Sequence, residues 1–414
     1  MGILKETGYS YRDLTIVPTV VSDIKSRSEC NPYHLNGFLP IFTAPMNSVV
    51  CVENFKLWED NKIIPILPRT VDWTKRLEFI KEGYWVAVGL EEFETLFENG
   101  KPESRSFTIR ILLDIANGHM KKALDLCKDI KSKYSSQVEI MAGNIANPYT
   151  YLDYCSAGID YVRCSIGSGA GCLTTSNTGV HYPIATLIEK INNIKISQQK
   201  NGEFYTKVIA DGGIRNYSDV IKALALGADY VMIGSFFSSL LESSAEIVSS
   251  LDCSCRSGSK PGEVKFSDVY YCKEEELEQA ILDDWGTMPV YTKDWIGEWW
   301  VVTVYMDLFL PSQFEEDKRK FLEIVSNKGD VIRKRFYGMS TKEAQKLMGK
   351  TKLKTSEGKA CEVYVKYTIA QWVENMIDYL RSAMSYCGSR SLDDFIGNQN
   401  LIPNSPAELS SVNK

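Results

Sequence analysis

Short apolar runs bounded by turn residues alternate along the first 246 residues with stretches of helical periodicity. Runs of four to eight apolar residues flanked by Gly, Pro, Asn or Asp read as buried strands, and 3.6-residue periodicity between them reads as helices covering a parallel sheet. The predicted strands are residues 39–44, 62–67, 84–89, 108–114, 137–142, 160–165, 207–210 and 229–233. The helices that follow are predicted at 52–60, 73–82, 91–99, 120–134, 148–157, 181–196 and 217–226. Such a continuous series predicts an α/β chain folded as a (β/α)8 barrel. A doubly wound open sheet is the alternative, but no Gly-x-Gly-x-x-Gly follows the first strand.

After residue 246 the barrel pattern stops, and the chain divides into a core (1–246), an insertion after strand eight (247–334), a flap with closing helix (335–397) and a loose tail (398–414). The insertion opens on a stretch rich in Cys, Ser and Gly, then predicts an acidic helix at 273–284 and strand-like alternation at 299–310. Trp285, Trp295, Trp299 and Trp300 are half of the eight tryptophans of the chain. They read as the insertion's own core or as a subunit contact. A helix ends near Met348, and the closing helix is predicted at 367–385.

Composition narrows the function classes. Hydrophobic and charged fractions of 44% and 24% are those of a soluble globular protein. A net charge of -6 without a basic stripe argues against nucleic acid as the main partner. The N-terminus lacks the apolar core of a signal peptide, Glu6 stands where lipidation wants Ser or Thr, and no run approaches a membrane span. The 11 cysteines are scattered, so reduced thiols and a cytoplasmic location are expected. With three histidines, His34, His119 and His181, triad or histidine-metal chemistry is not expected.

One stretch carries a chemical signal. Strand six runs into Ser165-Ile166-Gly167-Ser168-Gly169-Ala170-Gly171-Cys172-Leu173-Thr174-Thr175. Alternate glycines allow backbone to approach a ligand or ion closely, and hydroxyls flank one cysteine, as in a loop built for a covalent nucleophile. The plain alternative is a small buried thiol. Polar-glycine turns follow four other strands: Asp114 to Gly118, Gly143-Asn144, Asp211-Gly212-Gly213 and Gly234-Ser235. All fall at the C-terminal barrel face, where glycine amides and a serine hydroxyl suit a phosphomonoester.

These pieces together resemble the IMP dehydrogenase/GMP reductase family. The matching segments are Ser26 to Glu29, Ala44 to Val49, Asp114 to Gly118, Met141 to Asn144, the Cys172 loop through Val180, Ala210 to Ile214, Gly227 to Gly234, Tyr337 to Met339, and Glu357-Gly358. They keep the family's order and cover most of the chain outside the insertion. Asp-Ile-Ala-Asn-Gly, Phe-Tyr-Gly-Met-Ser and Ser-Glu-Gly-Lys are similar to the reductase branch. There is also no room for the paired regulatory modules of most dehydrogenases, and no Arg-Tyr pair lies between Ser340 and Glu357.

The resemblance implies a homotetramer that acts on a purine mononucleotide with NADPH. Cys172 is implied as the nucleophile at C2 of GMP, with Thr174 and Glu357 moving the protons that release ammonia. The resemblance assigns phosphate and ribose to Asp211, Gly212, Gly213, Gly234, Ser235 and Tyr337, and the base to Met339, Ser340, Ser356 and Gly358. It assigns the cofactor to Arg69, Asp114, Ala116, Asn117, Ile166 and Gly167, with Ser26, Arg27, Ser382 and Ser385 reaching from a neighbouring subunit. Carbonyls of Gly167, Gly169 and Cys172 are implied to hold K+. Ala170, Leu173, Thr175, Lys354 and Asn47 depart from the family pattern around the nucleotide, which opens a deoxynucleotide or another purine as substrate. Two other readings stand: an IMP dehydrogenase using NAD, and a nucleotide-binding regulatory protein with weakened catalysis.

Overall fold

The computed structural model describes residues 7–102, 108–248, 333–338, 341–348, 355 and 358–405, with the backbone of three strands in the insertion. Among them, seven parallel strands form one curled sheet. In spatial order these are the first (Ile41–Thr43), eighth (Tyr230–Ile233), seventh (Lys207–Asp211), sixth (Tyr161–Cys164), fifth (Val138–Ile145), fourth (Ile109–Leu113) and third (Trp85–Val88).

The predicted second strand closes the ring without becoming regular. Ile64 N–H donates to Ile41 O at 3.0 Å, and Leu67 N–H donates to Trp85 O at 3.0 Å. Pro65 lies between these contacts, and its missing N–H interrupts the ladder. The expected (β/α)8 barrel is therefore present, with one strand reduced to bridges on either side of a proline.

Helices pack on the outside where the periodicity places them. Trp73–Glu82 is typical: Asp72 accepts from Thr74 N–H at its start, and Gly83 ends it at φ 84°. The helix expected from 181 instead spans Ile184–Lys200. Pro183 keeps Tyr182 out of the helical region, so the helix starts later. A short helix, Thr174–Thr178, follows the cysteine and was not expected from periodicity.

Two cores result. One lies between sheet and helices; the other fills the barrel with Phe42, Ile66, Trp85, Leu112, Met141, Tyr161, Ile209, Tyr230 and Met232. Trp85, Tyr161 and Tyr230 are the first residues of their strands. They stack edge-on, Trp85 to Tyr161 at 5.3 Å, and Lys207 Nζ stands 5.3 Å above the Tyr161 ring. This plug leaves the C-terminal face for binding.

Beyond strand eight, Arg333–Tyr337 lies between Glu246–Val248 and Ala360–Tyr364, antiparallel to both. Val248 pairs with Arg333, so the insertion leaves and returns side by side. Within it, Trp299–Val304 pairs with Val269–Cys272 and Tyr291–Ile296. The strand expected at 299–310 is thus described to Val304; the acidic helix at 273–284 lies outside the described residues. The closing helix, Ile369–Tyr386, is capped by Thr368 and seats Trp372 against Phe237 at 4.8 Å. In the segment expected as a loose tail, Leu401–Pro403 pairs with Leu14–Ile16.

Candidate active site

The loop after strand six is shaped by its glycines. Gly167 has φ 80°, and a Cβ there would stand 1.8 Å from Thr175 Oγ1. Only glycine fits that approach. Further on, Cys172 N–H donates to Gly169 O at 3.0 Å, which closes a tight turn at the cysteine. Ser168 O accepts from Gly213 N–H at 3.0 Å, so the turn after strand seven braces this loop. His181 Nδ1 holds Ile166 O at 2.9 Å.

Cys172 is half-buried, and its Sγ–H donates to Thr174 Oγ1 at 3.2 Å. Other cysteines are placed differently. Burial pushes the Cys127 thiol up to about 12 and the Cys51 thiol to about 11, which keeps both protonated. Cys172 also meets the flap: it bridges Gly358, and Lys359 N–H donates to Gly171 O at 2.9 Å. Glu357, Ser356, Met339 and Ser340 lie outside the described residues. Their neighbours reach this loop at two points: Gly358 bridges Cys172, and Gly338 N stands beside Gly171.

Asp114, Asp211 and Asn144, at the ends of strands four, seven and five, meet around Arg163. Its Nη1 is 2.8 Å from Asp114 Oδ1, and its Nε is 3.0 Å from Asp211 Oδ2. Asn144 Nδ2 donates to the same Asp211 oxygen at 2.6 Å. Burial opposes the guanidinium charge, yet Asp211 and Asp114 outweigh it and hold the Arg163 pKa above its ordinary value. By sequence alone Arg163 is only a strand residue. Its signal was an arginine inside the buried run Tyr161-Val162-Arg163-Cys164, where a lone charge demands partners.

On the opposite side, Tyr337 hydroxyl accepts from Asn47 Nδ2 at 2.5 Å. Gly234 sits over Met46, and Ser235 begins the short helix Ser235–Ser238. Arg69 Nη1 donates to Asp114 O at 3.2 Å, while its buried Nε has Glu92 only at 3.8 Å. Ala116 and Asn117 are exposed at the rim, with Asn117 accepting from His119 N–H. Ser26, Arg27, Ser382 and Ser385 form a surface group: Arg27 pairs with Asp378 at 3.1 Å and reaches Ser382 at 3.5 Å.

Thr175 Oγ1 is buried without a hydrogen-bond partner, against Gly167. Among the described residues no cluster of His, Cys, Asp and Glu could hold a metal, so an ion here would rely on carbonyl and hydroxyl oxygens.

A barrel with a cysteine on a glycine loop and a strand bridged to it defines a class of α/β-barrel proteins with a candidate thiol nucleophile. The family model for the IMP dehydrogenase / GMP reductase domain matches residues 107–263. A GMP reductase of Staphylococcus carnosus is 30% identical over 250 residues, covering 58% of this chain and 74% of that protein. A GMP reductase of Helicobacter pylori is 29% identical over 248 residues, covering 58% and 73%. An inosine-5'-monophosphate dehydrogenase of Rhodopirellula baltica is 38% identical over 138 residues, which span 33% of this chain but only 24% of that protein. The chain belongs to the IMP dehydrogenase/GMP reductase family. No helix among the described residues is long and apolar enough to cross a membrane.

Proposed function

We propose that this chain is an NADPH-dependent GMP reductase that converts GMP, or a related purine nucleotide, to IMP and ammonia. One observation supports this most: the Cys172 thiol donates to Thr174 on a glycine loop bridged by Gly358, the residue after Glu357. Cys172 sulfur forms a bond to C2 of the purine as its proton is relayed through the Thr174 hydroxyl to the Glu357 carboxylate. The C2 amine then takes a proton and leaves as ammonia, which gives a cysteine-bound thioimidate. Glu357 serves with Thr174 in these proton transfers. A nicotinamide dinucleotide, when held beside the Cys172 loop, would supply the hydride for C2.

Asp211 enters with its carboxylate fixed by Arg163 and Asn144, which suits it to orient ribose hydroxyls. Gly212, Gly213, Gly234, Ser235 and Tyr337 take the phosphate end; Met339, Ser340, Ser356 and Gly358 take the base. Arg69 Nε, buried without an acceptor beside the strand-four loop, fits a polar group of the dinucleotide, with Asp114, Ala116, Asn117, Ile166 and Gly167. Ser26, Arg27, Ser382 and Ser385 contribute from a second subunit of a tetramer. The orphaned Thr175 hydroxyl beside Gly167 fits K+ held by the carbonyls of Gly167, Gly169 and Cys172.

The test is a panel of purine mono- and deoxymononucleotides against NADPH and NAD+. Falling NADPH absorbance with GMP and release of ammonia are expected. NAD+ reduction with IMP would instead assign the dehydrogenase direction. Cys172→Ala should abolish turnover while nucleotide binding persists, and undiminished turnover excludes the covalent route.

A further inference from the structure

Outside the site, Lys334 is buried, with the residue only 1% exposed. Burying an ammonium is costly unless oxygens replace its hydration shell. Here Nζ donates to Leu241 O at 2.6 Å, Ser243 O at 2.7 Å and Ser243 Oγ at 3.1 Å. Main-chain carbonyls of Leu241 and Ser243 are among these acceptors, so the ammonium fixes the path of the backbone after strand eight. Lys334 lies on the flap strand Arg333–Tyr337, where side chains alternate between faces. Lys334 and Phe336 turn inward, 1% and 4% exposed, while Arg335 and Tyr337 turn toward the partly open side.

Phe336 meets the cysteine loop. A Cβ on Gly171 would lie 2.9 Å from Phe336 Cε1 and 3.5 Å from Gly338 N. The same strand therefore touches the loop after strand eight at one point and the residue before Cys172 at another. The structure assigns Lys334 as a positioning residue: its caged ammonium holds the flap strand so that Phe336 seats Gly171 and thereby orients Cys172. This rests on the reading of Cys172 as the nucleophile. It also links the insertion to the site, because Lys334 pairs with Ile247 where the insertion departs.

The experiment uses the full chain and does not depend on turnover. Hydrogen exchange is followed by mass spectrometry, and Cys172 alkylation by iodoacetamide is quantified at that residue. In Lys334→Met, exchange over 169–173 and alkylation of Cys172 should both rise about tenfold, while strand four keeps its protection. Phe336→Ala, which leaves the ammonium cage intact, should raise both readouts without loosening 241–243. The assignment is overturned if Lys334→Met loosens 241–243 and 333–337 yet leaves 169–173 and Cys172 unchanged. It is also overturned if protection falls uniformly across the barrel. Should Lys334→Met not fold, Lys334→Arg decides by the same readouts, since its larger planar head does not fit the cage formed by Leu241 O, Ser243 O and Ser243 Oγ. Failure of GMP as a substrate would show only in the nucleotide panel.

Discussion

Replacing Arg163 by Met tests how the carboxylates of the site are held. The guanidinium reaches Asp114 at 2.8 Å and Asp211 at 3.0 and 2.9 Å, with a side chain 10% exposed. Each charge-assisted hydrogen bond contributes roughly 1.5–3 kcal/mol, but the values do not add, because desolvation of one guanidinium is shared among them. Removing one partner of a buried pair costs about 3–5 kcal/mol, since the remaining carboxylates stay buried and uncompensated. Methionine refills part of the volume, so a loss near the lower end, about 3 kcal/mol, is expected. At about 2–4 °C per kcal/mol for a large domain, the unfolding midpoint should fall by roughly 6–12 °C. Calorimetry or circular dichroism measures the midpoint, and titration calorimetry measures nucleotide binding, which should weaken because Asp211 loses its fixed geometry. Arg163→Lys should recover less than half, as one ammonium cannot fork to two carboxylates. In a cycle with Asp211→Asn, a coupling of about 1–3 kcal/mol is expected. A midpoint shift under about 2 °C together with additive effects would refute the reasoning.

Gly167→Ala combines a φ of 80° with a Cβ 1.8 Å from Thr175 Oγ1, so about 1–3 kcal/mol of stability and most turnover should be lost. Wild-type denaturant midpoints and turnover in that variant would contradict it. Thr175→Val removes the orphaned hydroxyl and should weaken activation by K+, read from a K+ titration of initial rates against Na+. His34 stacks on Tyr230 at 4.5 Å, and burial holds its pKa below the ordinary value despite its hydrogen bond to Asp229 O. Its stabilising contribution is therefore present above about pH 6.5 and lost as pH falls through that value toward the lower folded pKa. His34→Phe should flatten the acid limb of urea midpoints below about pH 6.5, and an unchanged slope would count against this.

Hydrophobic period and turn chemistry were enough to read the barrel, because each strand is a short apolar run buried on both faces. The glycine run and Cys172 were equally legible, since close backbone approach leaves its mark directly in residue type. Pairings between distant segments were not. Leu14–Ile16 joins Leu401–Pro403 across nearly the whole chain, and Arg333–Tyr337 finds Glu246–Val248 across the insertion. Neither strand has a local signal, as three to five residues alternate too briefly to be told from loop.

Along the chain alone, residue type determines where the backbone turns sharply, which runs are buried, and which single thiol stands beside hydroxyls on a glycine loop. Tertiary structure alone decided that Arg163 lies between Asp114 and Asp211, that Lys334 is caged by Leu241 and Ser243, and that Gly358 meets Cys172. The physical reason is that a charge is tolerated in the interior only where distant segments bring oxygens to it. No local pattern records which segments those will be.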